Sequence, residues 1–140
     1  MAINAGKVIA GGLVGGVVAN VIDFIWNTTV MKADMVDLGK RFGMPDEALN
    51  SFATAAPWLI VDFIFGFVIV FTYAAMRPRL GPGPKTAMIA GLMPYIAVTA
   101  VLWGFQSMGM MPMASFVKGS ATALVTTIVG SLAGCAVYSE

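Results

Sequence analysis

Three ionisable side chains interrupt otherwise apolar stretches of this chain: Asp23, Asp62 and Lys118. Each lies inside a run long enough to cross a bilayer, at depths of roughly 10, 8 and 9 Å from one end at about 1.5 Å per residue. A charge facing lipid at such a depth costs on the order of 2.5–3.5 kcal/mol, so the three are expected to turn inward and meet. Asn20, Asn27 and Gln106 fall close to the same layer. One amine cannot neutralise two carboxylates, so either one carboxyl keeps its proton or a cation or water completes the set. Two chemistries follow. In one, Lys118 clamps both aspartates and fixes helix register, a structural use of buried charge. In the other, the cluster takes up a proton, a small cation or a polar group.

Other chemistry is poorly supplied. The 140 residues include no His and one Cys. That excludes a His-ligated metal, a Ser-His-Asp or Cys-His machine, and axial His ligation of a haem by this chain. No metal site, no cofactor and no enzymatic activity are expected. Met108, Met110, Met111 and Met113 cluster in one turn. Thioethers bind Cu(I), but no Cys or His joins them, and flexible apolar packing is the simpler reading. A net charge of +1 without a basic run excludes nucleic acid as a partner.

The elements that must carry these residues follow from composition. Hydrophobic residues make up 59% and charged residues 11%, with a mean hydropathy of +0.86. A water-soluble domain of this size cannot hide so much apolar surface. The expected fold is all-α: one membrane domain over 1–140, a polytopic bundle of four transmembrane helices. The spans fall at about 8–30, 57–76, 86–106 and 113–138, with a loop over 31–56. The first span is too long for the apolar core of a signal peptide and reads as a retained helix. Lys7, Arg77, Arg79 and Lys85 share one side. In the first loop, Lys32, Lys40 and Arg41 are outnumbered by Asp34, Asp37, Asp46 and Glu47. The positive-inside rule then places both termini in the cytoplasm. Trp26, Trp58 and Trp103 fall near the opposite ends of their helices, and Tyr73 and Tyr138 near the cytoplasmic ends, as interfacial belts do.

Within the first loop, Met31, Met35, Leu38 and Phe42 recur at helical spacing, Gly43 suits a helix end, and Pro45 opens a second short helix. An amphipathic helix on the membrane surface is expected, or a lid. The segment from Arg77 to Lys85 carries three prolines and two glycines and predicts a rigid extended turn. Its cations Arg77, Arg79 and Lys85 suit lipid phosphates. Phosphate-loop spacing is absent there. Gly12, Gly16, Asn20, Asp23 and Asn27 share one helical face. Gly66 and Gly91 on the second and third spans, and Ser115, Lys118, Thr122, Thr126, Gly130 and Gly134 on the fourth, supply further small or polar positions. Small residues let helix backbones approach closely.

The Gly-rich first span ending in Asn20 and Asp23, the Tyr73-Ala-Ala-Met-Arg-Pro-Arg79 to Gly81-Pro-Gly-Pro-Lys-Thr-Ala87 segment, and a last span with Gly130, Gly134 and Tyr138 carry a resemblance. The chain resembles a family of uncharacterised small four-span bacterial integral membrane proteins. That resemblance implies topology and no activity. The functional expectation is a non-catalytic accessory subunit that packs among membrane lipids and other transmembrane subunits of a larger complex, of respiratory or photosynthetic type. The alternative is a small homo-oligomeric transporter or channel that uses the Asp/Asp/Lys cluster for a proton or small cation.

Overall fold

A computed structural model describes residues 3–138. The described chain folds as α1 (Ala5–Thr29), α2 (Lys32–Arg41), α3 (Asp46–Leu49), α4 (Phe52–Leu80), α5 (Pro84–Ser107) and α6 (Met113–Val137). The helices α1, α4, α5 and α6 are long and apolar enough to cross a membrane, and no strand occurs among the described residues. The protein is an all-α membrane bundle. Helix α1 packs against α4 and α6, and α5 packs against α6 and α4.

Glycine sets the spacing of α1. Its buried stripe is Gly11, Gly12, Gly15, Gly16 and Ala19. Gly11 and Gly15 face α6. A Cβ on Gly11 would lie 2.5 Å from the Gly134 carbonyl oxygen, and one on Gly15 would lie 3.1 Å from that of Gly130. Gly12 and Gly16 face α4, where a Cβ would strike the rings of Phe67 and Phe63. A Cβ on Gly66 would strike the Gly12 carbonyl, and one on Gly91 would lie 2.7 Å from that of Thr127. Backbones in such contact are held by dispersion, which lipid cannot displace without separating them.

These contacts fix the antiparallel register of α1 and α6. Gly11 stands opposite Gly134 and Gly15 opposite Gly130. Each further turn moves four residues in opposite directions, so Ala19 is level with Thr126, Asp23 with Thr122, and Asn27 with Lys118.

The loop helices form as expected. Gly43 adopts φ +72°, its N–H bonds the Lys40 carbonyl at 3.0 Å, and the Met44 N–H bonds that of Gly39 at 2.9 Å. This double bond pattern is the glycine-terminated helix end. Pro45 caps α3.

Three features depart from the sequence reading. Helix α4 begins five residues before Pro57, where the Ser51 side chain accepts from the Thr54 N–H. It also continues through Arg77, Pro78 and Arg79, where an extended turn is expected. Pro78 forfeits only the bond its missing N–H would have made, and the Gly81 N–H still bonds the Arg77 carbonyl at 2.9 Å. The turn shrinks to Gly81-Pro82-Gly83, with glycine φ of +79° and +128°. Tyr73 and Tyr138 are not interfacial belt residues but are buried. Their rings meet edge to face at 6.2 Å. The Tyr73 hydroxyl accepts from the Gly83 N–H at 3.1 Å, and the Tyr138 hydroxyl accepts from the Asn4 N–H at 3.1 Å. A tyrosine buried this deeply keeps its hydroxyl by giving it a donor.

Candidate functional site

Of the three expected ionisable groups, two meet. The carboxyls of Asp23 on α1 and Asp62 on α4 lie within hydrogen-bonding reach of each other. Thr126 on α6 donates its hydroxyl to Asp23 Oδ1. Helix geometry explains the meeting. Every Cα–Cβ bond tilts toward its helix N-terminus. Asp23 therefore leans toward the Ala19 layer, and Asp62, on an antiparallel helix, leans the opposite way toward it. Thr126 stands in that same layer.

Lys118 does not join them. It is two turns from Thr126 along α6, about 12 Å, and its own tilt carries it further away. Its ammonium instead pairs with Asp34 Oδ2 on α2 at 2.7 Å, and the Ser115 hydroxyl donates to Asp34 Oδ1 at 2.6 Å. The Lys118 bond, and then that from Ser115, hold the Asp34 carboxyl below the usual carboxylate range. Equal depth counted from helix ends is misleading because the ends are not flush. Asp23 lies about 9 Å from the end of α1, but Thr126 lies about 20 Å and Asp62 about 15 Å from the starts of their helices.

The amides divide. Asn20 Nδ2 donates to the Gly16 carbonyl at 2.9 Å and to the Leu59 carbonyl at 3.3 Å, one turn from Asp62. Its Oδ1 is buried without a partner among the described residues. Asn27 Nδ2 bonds the Asp23 carbonyl at 2.8 Å, and the residue is exposed. Gln106 sits in the last turn of α5, apart from the pair.

Asp62 is 8% exposed, and no side-chain or backbone donor among the described residues bonds it. It lines a cavity of about 20 Å³ with Gly15, Ala19, Gly66, Thr126 and Gly130. That volume holds about one water. The set can bind a proton, a water or a small cation and excludes an organic substrate. No group of three metal-binding side chains occurs among the described residues.

At the opposite end of the bundle, Arg77 is packed between tyrosines, its guanidinium carbon 5.8 Å from the Tyr73 ring centre and 5.4 Å from that of Tyr138. Arg79 and Lys85 are exposed, which leaves them better placed than Arg77 for lipid phosphates. Thr126 belongs to the small and polar stripe read from the sequence. The allegiance of Asp34 was missed, although an acid in the first turn of a helix tethered directly to α1 has few other elements within reach. The chain matches no family model, no curated protein and no solved structure.

Proposed function

We propose that this integral membrane protein takes up a proton or small cation at the Asp23–Asp62 pair, as a small homo-oligomeric transporter or channel of the bacterial inner membrane with both termini cytoplasmic. One observation carries the reading: α1 and α4 bring two carboxyl groups together inside the bundle, and the amine that could have made them a structural clamp is engaged elsewhere. Like charges in contact in a poorly solvated site need a proton or a cation between them. Asp62, buried and bonded by no donor among the described residues, faces a cavity of one-water size. Four helices enclosing so little space favour assembly of several copies around any longer pathway.

Purified protein in proteoliposomes, with a pH-sensitive dye or an alkali-cation indicator inside, tests this. The parent chain carries a gradient-driven flux, and folded Asp62→Asn loses at least about 90% of it, as removal of an obligatory intramembrane acid does. Absence of flux in folded parent protein, or equal flux in Asp62→Asn, refutes the reading.

A second reading, an accessory subunit packed beside other spanning helices, draws on α5. That helix is covered on one face; Val101 and Trp103 are exposed beside Gly104, where a Cβ would meet nothing within 4 Å, and Met93 and Ile96 are exposed two to three turns earlier. An open small residue among bulky ones is a seat for a further helix. Native mass measurement after mild extraction separates the two: a homo-oligomer supports the first reading, a larger complex the second.

A further inference from the structure

An acid pair whose second member, Asp62, is buried needs a route to water if it exchanges a proton or cation. The two ends of the α1–α6 seam differ. Toward the chain termini the seam is shut by backbone contact. A Cβ on Gly134 would lie 2.7 Å from the Gly11 carbonyl, and Val70 and Ser131 are fully buried there. Packing this close leaves no room for a file of water.

Toward α2 the seam is polar. From Thr126, the same face of α6 continues with Thr122, Lys118 and Ser115, at steps of four, four and three. Thr122 is buried level with Asp23, and its hydroxyl donates to the Lys118 carbonyl at 2.9 Å. Asn27 of α1 stands level with Lys118. Hydroxyl, amide and ammonium groups thus run about 16 Å from the carboxyl pair to the bundle end.

The chain itself crosses that exit. Residues 30–34 leave α1 and reach α6, with Met31 buried at 4% exposure and Asp34 held by both Ser115 and Lys118. The other ion pairs of the loop are local, Arg41 with Asp37 at 2.9 Å and Lys40 with Asp46 at 3.6 Å. Asp34 is therefore the polar tether from α2 to the far side of the seam.

We infer that the carboxyl pair communicates with water along the Thr122–Lys118–Ser115 face of α6, and that residues 30–34, latched by Asp34, form a strap across this route. This inference rests on the proposed proton or cation site for its purpose, but its geometry is tested separately. In a Cys135→Ser background, a cationic methanethiosulfonate reagent is applied in detergent to Thr122→Cys and to Ser131→Cys. Asp34→Asn raises the labelling rate of Thr122→Cys by roughly tenfold and leaves Ser131→Cys protected, because one charge-assisted tether is lost while the seam below stays packed. Exchanging the charges, Asp34→Lys with Lys118→Asp, restores protection. An unchanged rate at Thr122→Cys, or an equal rise at Ser131→Cys, overturns the strap. Should Thr122→Cys not fold, tryptic cleavage after Lys40 and Arg41 in the chain without added cysteines reads the same opening. It is faster by roughly tenfold in Asp34→Asn if the strap exists and unchanged if it does not. None of these measurements uses a gradient. Labelling as expected without flux keeps the strap and refutes the transport reading. Flux without the labelling change refutes the strap alone.

Discussion

Asp23 and Asp34 lie eleven positions apart and solve the same problem in opposite ways. Asp34, at the end of the bundle, receives an ammonium and a hydroxyl from α6. Asp23, in the middle, receives one hydroxyl from α6 and faces a second acid. Both use the same helix as donor, two to three turns apart. The difference teaches that the lysine of α6 stands at the bundle end, within reach of a loop acid and not of the interior pair. Lys118 keeps 41% of its side chain exposed while its stem crosses the apolar layer. The carboxyl pair lies deeper in the bundle, beside a cavity of one-water size, with no counter-charge from Lys118.

The contrast breaks most severely if the α1–α6 seam that sets the register of both acids is wedged. Gly134→Leu must push a side chain into the Gly11 carbonyl, and α1 then separates from α6. We expect a loss of about 3 kcal/mol or more of stability, at or beyond the upper range for overpacking, because backbone and not side chain must yield. Thermal unfolding in detergent reads it. A drop under about 1 kcal/mol would show that the helices slide apart easily.

A gentler test deletes one hydroxyl at each acid. Thr126→Val removes the donor of Asp23 without changing shape, and costs about 1–3 kcal/mol for a buried acceptor left unmatched. Ser115→Ala costs about 1 kcal/mol or less, because Asp34 keeps Lys118 and water can take the vacated place. The same unfolding assay compares them, and equal losses would erase the distinction between the two sites.

The smallest effect concerns pH. Asp34 has its carboxyl pKa depressed by Lys118 and Ser115. A depressed acid contributes stability above its unfolded value, about 3.9, and loses it as pH falls through the lower folded value. The groups facing it are Lys118 and Ser115 from α6. On its own helix, Lys32, Asp37, Lys40 and Arg41 are the other charges. The strap therefore stays shut from neutral pH down to about 4 and loosens only below. Tryptic accessibility at Lys40 and Arg41 should be flat from pH 8 to about 5, measured on protein pre-equilibrated and pulsed at one pH after brief exposure. A rise already near pH 6 would contradict this assignment.

Four spans and the glycine-ended α2 were legible in the sequence, because each is a matter of period and local chemistry. The meeting of Asp23 and Asp62 was legible for the same reason: lipid forbids the alternative. The partner of Lys118 was not. Its choice depends on helix register, set by glycine contacts that no spacing along one helix reveals, and on the opposed tilt of side chains on antiparallel helices. The tyrosines misled because a ring near a helix end suits an interface, and only packing shows that Asn4 and Gly83 claim their hydroxyls. Pro78 misled because a proline near a helix end costs a single bond there and need not stop the helix.

The donor that serves Asp23 lies 103 residues further along the chain. At ribosomal speeds this is a delay of about 5–20 s. For the later part of that interval the first helix and the fourth stand in the bilayer as a nascent hairpin carrying two acids and no completed sixth helix. Biogenesis of this small protein must tolerate, or shelter, a half-built state in which the first acid inserted still lacks its donor.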